Sequence, residues 1–253
     1  MSLLKVNGIS KYFGGLTAVD EAEFEIRDGE ILGLAGPNGA GKTVTFDCIT
    51  GQMMPDGGSV ILDGEDITGY APDAVARAGI GRTFQEVRVY NELTVRENLQ
   101  FAAQNKQVGR MLSSIVSGQA ASDVDADIAA RADEMLETVE LDHLAIQPAE
   151  SLSYGQKKIL SFAAALMTHP EPELIMLDEP MAGVNPTMIN KLAEYVRTFR
   201  KQGKTFLIVE HNMRLMADLC DRMVVLDAGR PIASGPPAEI QENEQVVEAY
   251  FGA

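Results

Sequence analysis

The sequence predicts an α/β fold: a mixed or parallel sheet with helices around it, an antiparallel β portion at the N-terminus, and a block of helices inserted between strands. Three observations predict it. The apolar run Ile31–Ala35 has the length of a buried strand and leads directly into glycines and a helix start. The apolar runs 174–177 and 205–209 each end in polar residues and are followed by a helical pattern, the alternation expected of parallel strands. From about Thr94 to Thr168 the pattern is helical with no obvious strand, which reads as a subdomain rather than another βαβ unit.

Taken in order, Leu3–Asn7 and Ala22–Arg27 read as strands, the second placing Ala22, Phe24 and Ile26 inward and Glu23, Glu25 and Arg27 outward. Between them Lys11-Tyr12-Phe13-Gly14-Gly15 is an aromatic pair on a glycine loop. A helix from Lys42 to about Thr50 is stopped by Gly51, and Pro55–Gly58 makes a turn before the short strand Ser59–Leu62 and a turn at Asp63-Gly64. Pro72 to Ala78 reads as a helix, with proline in its first turn and Gly79 at its end, followed by a short strand Ile80–Gln85. Thr94 and Glu97 have capping-box spacing. In segment 123–139, Val124, Ile128, Ala132, Met135 and Val139 share a face, whereas 105–122 is rich in Ser, Gly and Gln and reads as the loosest stretch. The strand 174–177 leads to a helix 187–201, which puts Ile189, Leu192, Val196 and Phe199 on one side. The strand 205–209, a helix around 212–219, the strand Met223–Leu226, a turn at Asp227-Ala228-Gly229 and one or two terminal helices over 237–251 complete the chain.

A chain of 253 residues buries a proper core, and 45% hydrophobic with 23% charged residues is ordinary for a globular protein. No apolar run reaches the roughly 18–20 residues that cross a bilayer. The start Met1-Ser2-Leu3-Leu4-Lys5 lacks the apolar stretch of a signal peptide, so the chain is expected in the cytosol unless a partner holds it at a membrane. With 37 acidic against 21 basic residues the net charge is −16. That balance argues against a nucleic-acid partner, which needs clustered cations, and leaves open a solvated acidic face or adaptation to high salt. Cys48 and Cys220 have no paired spacing and fall in helical segments, where buried thiols are expected.

The chemistry concentrates at strand ends, where ligands of parallel α/β sheets bind. Gly36-Pro37-Asn38-Gly39-Ala40-Gly41-Lys42-Thr43 fits G-x-x-x-x-G-K-[ST] between a strand and a helix. Three glycines let backbone N–H groups turn inward around a phosphate, and the helix start adds more. Lys42 is then expected to reach the β- and γ-phosphates and the Thr43 hydroxyl to take a Mg²⁺ position. Asp178 suits Mg²⁺, a hard cation that prefers oxygen, and Glu179 suits the positioning and polarisation of an attacking water. His211, after an independent strand, is placed to hydrogen-bond a γ-phosphate and that water, while Gln85 is a candidate for contact with Mg²⁺ or the water. His143 and His169 lie in or beside helices and are set aside. Leu152-Ser153-Tyr154-Gly155-Gln156, just before a helix Lys157–Thr168, offers a second anion site that one nucleotide at Lys42 does not need. One solution is that it faces the nucleotide of another subunit.

This ordered set, running from the aromatic loop through Gly36–Thr43, Gln85, Leu152–Gln156 and Leu174–Glu179 to His211, resembles the ATP-binding subunit of an ABC transporter over essentially the whole chain. The resemblance implies a P-loop ATPase with 1–86 and 169–253 as the α/β core and 87–168 as a helical subdomain ending in the signature. It implies that Phe13 stacks on adenine, with Tyr12 as runner-up, that Gln85 is the Q-loop glutamine, Asp178 the Walker B acid, Glu179 the catalytic glutamate and His211 the switch histidine. It further implies a head-to-tail dimer in which Ser153, Gly155 and Gln156 meet the nucleotide held by the partner. Three departures stand out: Tyr154 replaces a glycine in the signature, Val44 replaces a hydroxyl residue so that an α-phosphate contact either falls to its backbone N–H or is lost, and Asn185 replaces an aspartate.

The tyrosine-bearing signature, Met181–Pro186, Phe13–Leu16 and the insert at 105–122 are similar to the ATPases of branched-chain amino acid importers and to their urea and amide relatives. That likeness implies ATP and Mg²⁺ as cofactors and a homodimer or a heterodimer with a related ATPase. It also implies two membrane permease subunits, an indirect solute-binding partner and a peripheral place on the cytoplasmic face of the membrane. An exporter, or an ATPase serving a soluble assembly or regulatory task, shares the same chemistry.

Overall fold

The computed structural model describes residues 1–83, 88–104 and 118–251. It divides into two units, Met1–Gln85 with Glu173–Ala253, and Glu86–Pro172. Gln85 and residues 105–117 lie outside the described residues.

The first unit opens with two twelve-residue strands, β1 (Ser2–Phe13) and β2 (Leu16–Arg27), joined at Gly14-Gly15. They are longer than the alternation suggested, because register shifts along the pair break the strict two-residue period from which the strands were read. Lys11, Tyr12 and Phe13 are therefore strand residues, with Phe13 paired to Leu16 at the hairpin tip. Ala22, Phe24 and Ile26 are buried as the pattern requires. Next come β3 (Ile31–Ala35), α1 (Lys42–Ile49), β4 (Gly57–Leu62), the two-residue β5 (Glu65–Asp66), α2 (Pro72–Arg77) and β6 (Ile80–Arg82). The remainder of this unit supplies β7 (Leu174–Asp178), which follows the helices of the second unit in sequence, then strands β8 (Thr205–Val209), β9 (Arg222–Asp227) and β10 (Arg230–Gly235).

Strands β2-β1-β4-β5 form an antiparallel sheet, and β10-β9-β3-β8-β7-β6 form a second sheet that is parallel except for β10. The fold class is thus α/β with a mixed sheet and an antiparallel N-terminal sheet. β10 went unread because Pro231 interrupts it and its residues are half exposed at a sheet edge, where no alternation is imposed. Around α1, one core joins Leu4, Val6, Ile9 and Ile26 of the antiparallel sheet to Phe46, Ile49, Leu32, Leu34, Leu207 and Leu226. Each such side chain fully buried contributes roughly 1.5–3 kcal/mol. Cys48 lies in α1 and Cys220 lies just past the helix Met213–Leu219, and burial pushes their thiols up to about 11 and about 12.

The second unit, described by itself, holds α3 (Val95–Ala103), α4 (Gly118–Thr138) and α5 (Tyr154–Leu166). Thr94 and Glu97 form the reciprocal cap: the Glu97 N–H donates to the Thr94 hydroxyl at 3.2 Å and the Thr94 N–H to the Glu97 carboxylate at 2.7 Å. On α4 Ala132 and Leu136 are buried, as is Val139 just past its end, and Met135 is only half buried. The remaining helices, back in the first unit, are α6 (Pro186–Lys201), α7 (Met213–Leu219), α8 (Pro237–Glu242) and α9 (Glu244–Phe251). On α6, Leu192, Val196 and Phe199 are buried and Ile189 is half buried.

One ion pair fixes the approach to β3. Glu30, 7% exposed, accepts the Arg27 N–H at 2.8 Å and Arg222 Nε at 2.8 Å, and Arg222 Nη2 also donates to the Glu25 carbonyl at 2.5 Å. The guanidinium thereby ties β2, the turn before β3, and β9. Replacing it leaves a buried carboxylate without its cation, so Arg222→Met is expected to cost about 3 kcal/mol of stability in urea denaturation.

Candidate functional site

The glycine loop leaves β3 at Gly36, whose φ of 144° and close fit admit no side chain. An added Cβ would lie 2.2 Å from the Leu226 carbonyl oxygen of β9. The Gly36 N–H donates to the Tyr250 hydroxyl of α9 at 2.7 Å, and the Gly229 N–H in the β9–β10 turn donates to the Ala40 carbonyl at 3.1 Å. The loop is held from behind while its front stays open: Asn38, Gly39 and Thr43 are exposed, and a Cβ on Gly39 would meet nothing within 4 Å. α1 then begins with the Thr45 N–H donating to the Gly41 carbonyl at 2.9 Å. Val44 packs its side chain against the core, which leaves its backbone N–H as its polar contribution to the loop.

Lys42 is buried, and its Nζ donates to the carbonyls of Gly36 at 2.7 Å and Pro37 at 2.9 Å. Burial pulls the ammonium below the usual lysine range, and the negative charges of Glu179 and Asp178 oppose that shift. The structure thus brings Lys42 into the field of the acidic pair at the end of β7. Asp178 is 3% exposed and its N–H donates to the Thr83 hydroxyl at 3.2 Å. Glu179 adopts φ 45°, uncommon for a residue with a side chain, and its N–H donates to the Val209 carbonyl at 2.9 Å. Its Oε1 lies 2.5 Å from His211 Nε2, so the two strand-end residues meet side chain to side chain. Behind them Glu210 accepts the Met181 N–H at 2.9 Å, and burial raises its carboxyl above the usual glutamate range.

Phe13 is 45% and Tyr12 48% exposed at the hairpin tip, and Lys11 Nζ lies 5.7 Å from the centroid of the Phe13 ring. In the second unit, Ser153 caps α5 in a reciprocal box: the Gln156 N–H donates to the Ser153 hydroxyl at 3.3 Å and the Ser153 N–H to Gln156 Oε1 at 2.9 Å. The helix therefore starts at Tyr154, ahead of Lys157, with Gly155 in its first turn. The Tyr154 ring is half exposed, with Lys158 Nζ 5.8 Å from its centroid. Asn185 caps α6 by accepting the Met188 N–H at 2.9 Å, work an aspartate does equally well. Gln85 lies outside the described residues. Sequence reasoning passed over Tyr250, Glu210 and Thr83, and no local pattern marks them, since each acts on a segment remote in the chain.

The donor set fits a triphosphate and Mg²⁺. The exposed loop residues Asn38 and Gly39, the open space in front of Gly39 and a buried ammonium suit phosphate oxygens. A buried carboxylate at Asp178 with the exposed Thr43 hydroxyl suits a Mg²⁺ shared with those phosphates, since this ion is held by few protein ligands. Such a site places the molecule among the P-loop nucleotide-binding ATPases.

Comparison with known proteins narrows the class. The family model described as "ABC transporter" matches residues 19–182, and the one described as "Branched-chain amino acid ATP-binding cassette transporter" matches residues 230–253. The chain is 39% identical over 251 residues to the high-affinity branched-chain amino acid transport ATP-binding protein LivG of Salmonella typhimurium, covering 99% of this chain and 98% of that protein. It is 38% identical over 251 residues to the corresponding protein BraF of Pseudomonas aeruginosa, with the same coverage of each. The crystal structure of the ADP conformation of MJ1267, an ATP-binding cassette of an ABC transporter, superimposes with a TM-score of 0.85 at 32% identity and covers 100% of both chains. The chain belongs to the ABC transporter family, as an ATP-binding subunit and transport-coupled ATPase.

The tight seat of the loop generates a prediction. Gly36→Ala is expected to cost about 3 kcal/mol or more in chemical denaturation, through the contact with Leu226 and the backbone angle together.

Proposed function

We propose that this chain hydrolyses ATP to power uptake of branched-chain amino acids through separate membrane subunits. The observation that carries the reading is the meeting of Glu179 with His211 beside a buried phosphate-loop lysine, in a chain that matches LivG and BraF, named for that transport, over nearly their full length.

In this reading the N–H groups of Asn38, Gly39, Gly41, Lys42, Thr43 and Val44 cradle the phosphates, while Gly36, Pro37 and Ala40, whose N–H groups are absent or already engaged within the protein, shape the loop. Lys42 releases its own loop carbonyls to bind β- and γ-phosphate oxygens. Thr43 and Asp178 would hold Mg²⁺, and Gln85 would contact that ion or the attacking water. When bound, the ion neutralises charge that develops on the phosphates. Phe13 stacks on adenine. Glu179 orients and polarises the attacking water, and His211 holds Glu179 and the γ-phosphate in line. Ser153, Gly155 and Gln156 meet the nucleotide bound by a second ATPase, identical or related, in a head-to-tail dimer. The Ser153 oxygen already accepts from Gln156, so its O–H is left to donate to phosphate. Among the described residues no helix is long and apolar enough to cross a membrane, and two membrane subunits fed by a solute-binding protein hold the dimer at the cytoplasmic face.

Glu179→Gln is expected to slow hydrolysis about a hundredfold or more while ATP is retained, because only the polarising carboxylate is lost. A variant hydrolysing at the normal rate would remove Glu179 from its assigned role. Reconstituted with the membrane subunits of a branched-chain amino acid importer, the chain is expected to drive leucine uptake that depends on ATP. Urea or amide uptake in place of leucine would redirect the assignment to the related importers.

A further inference from the structure

We propose that Glu210 is a positioning residue for hydrolysis: its carboxylate clamps the loop carrying Glu179 to the strand end carrying His211, so that these two side chains meet. The inference rests on the reading of Glu179 and His211 given above.

Glu210 is 5% exposed at the end of β8, and a glutamate is that buried only when its oxygens are occupied. Oε1 accepts the Met181 N–H at 2.9 Å and Oε2 accepts the His211 N–H at 3.3 Å. One carboxylate therefore bridges two backbones, that of the segment after β7 and that of the segment after β8. The same segments are joined again by the Glu179 N–H donating to the Val209 carbonyl at 2.9 Å. Glu179 makes one of these ties itself and lies two residues before the other, held at a φ of 45° uncommon for a residue with a side chain. Met181, 5% exposed, closes the clamp over buried surface. Glu210 thus acts through the backbone: it sets where Glu179 and His211 stand and leaves the phosphate loop alone.

The test compares Glu210→Ala, Glu210→Gln and Glu179→Gln in the full chain, measuring Mg-ATP hydrolysis and affinity for a non-hydrolysable ATP analogue. Glu210→Ala is expected to lower kcat about tenfold or more with affinity within about twofold of normal, the split expected when geometry at the reacting atoms is lost and binding is kept. Glu210→Gln keeps an amide oxygen for the Met181 N–H but turns a donor toward the His211 N–H, so it holds one of the two ties and is expected to turn over at a rate between those of the Ala variant and the unaltered chain. Normal turnover in Glu210→Ala, an equal fall in affinity and rate, or a Gln variant no better than Ala overturns the proposal. Should the alanine variant fail to fold, Glu210→Asp takes its place: its shorter side chain cannot span both N–H groups, so a slow Asp variant beside an active Gln variant supports the clamp, and a normal Asp variant overturns it. Normal hydrolysis by Glu179→Gln would instead overturn the underlying reading, which keeps the two failures apart.

Discussion

The phosphate loop keeps its shape because its back has no room for side chains. At Gly36 the backbone lies against the Leu226 carbonyl, and at Gly41 an added Cβ would come within 2.4 Å of the Ala18 carbonyl. The loop is wedged between β9 on one side and β2 on the other, so its N–H groups are directed by contacts made outside the loop. Preorganisation of this kind has its effect before a ligand arrives, since donors already aimed need little reorganisation on binding.

Electrostatics builds on that scaffold. A buried ammonium is costly, and Lys42 tolerates its place through two loop carbonyls and the nearby charges of Asp178 and Glu179. The carboxylates in turn stand at strand ends fixed by parallel pairing, since β7 and β8 run in register through Asp178 and Val209. The charges that offset one another in the free protein are the groups assigned to phosphate, metal and water in the bound one. The site is thus held together in the free protein by the bonds of Lys42 to its own loop carbonyls and by the facing carboxylates.

Much of this was legible in the residues, for identifiable reasons. The buried strands β3, β7 and β8 are continuous apolar runs because both faces of a parallel sheet are covered, and the Thr94–Glu97 cap is written in adjacent residues. The phosphate loop shows because its glycines are required by local backbone geometry. The half-exposed edge strand β10 gave no period to read, and the end of β1 was hidden by shifts in register. Tyr250, Glu30 and Glu210 stayed invisible for another reason: they act on backbone or side chains far away in the chain, and nothing near them in sequence announces the partner. Asn185 drew notice only as a departure, yet its capping bond belongs to a preference visible in the residue type itself.

The position of β3 between β8 and β9 has a consequence for how the molecule is made. Both hydrogen-bonding edges of this early strand are satisfied by residues beyond 204, and the first amide of the loop that follows finds its acceptor at Tyr250. During synthesis the amino-terminal half leaves the ribosome with its central strand unpaired, an adhesive segment awaiting partners not yet translated. Such long-range pairing is slow to form and makes completion of the sheet a late event. The pocket therefore matures last, and the nascent chain is in greatest need of shielding while its most apolar strand waits alone.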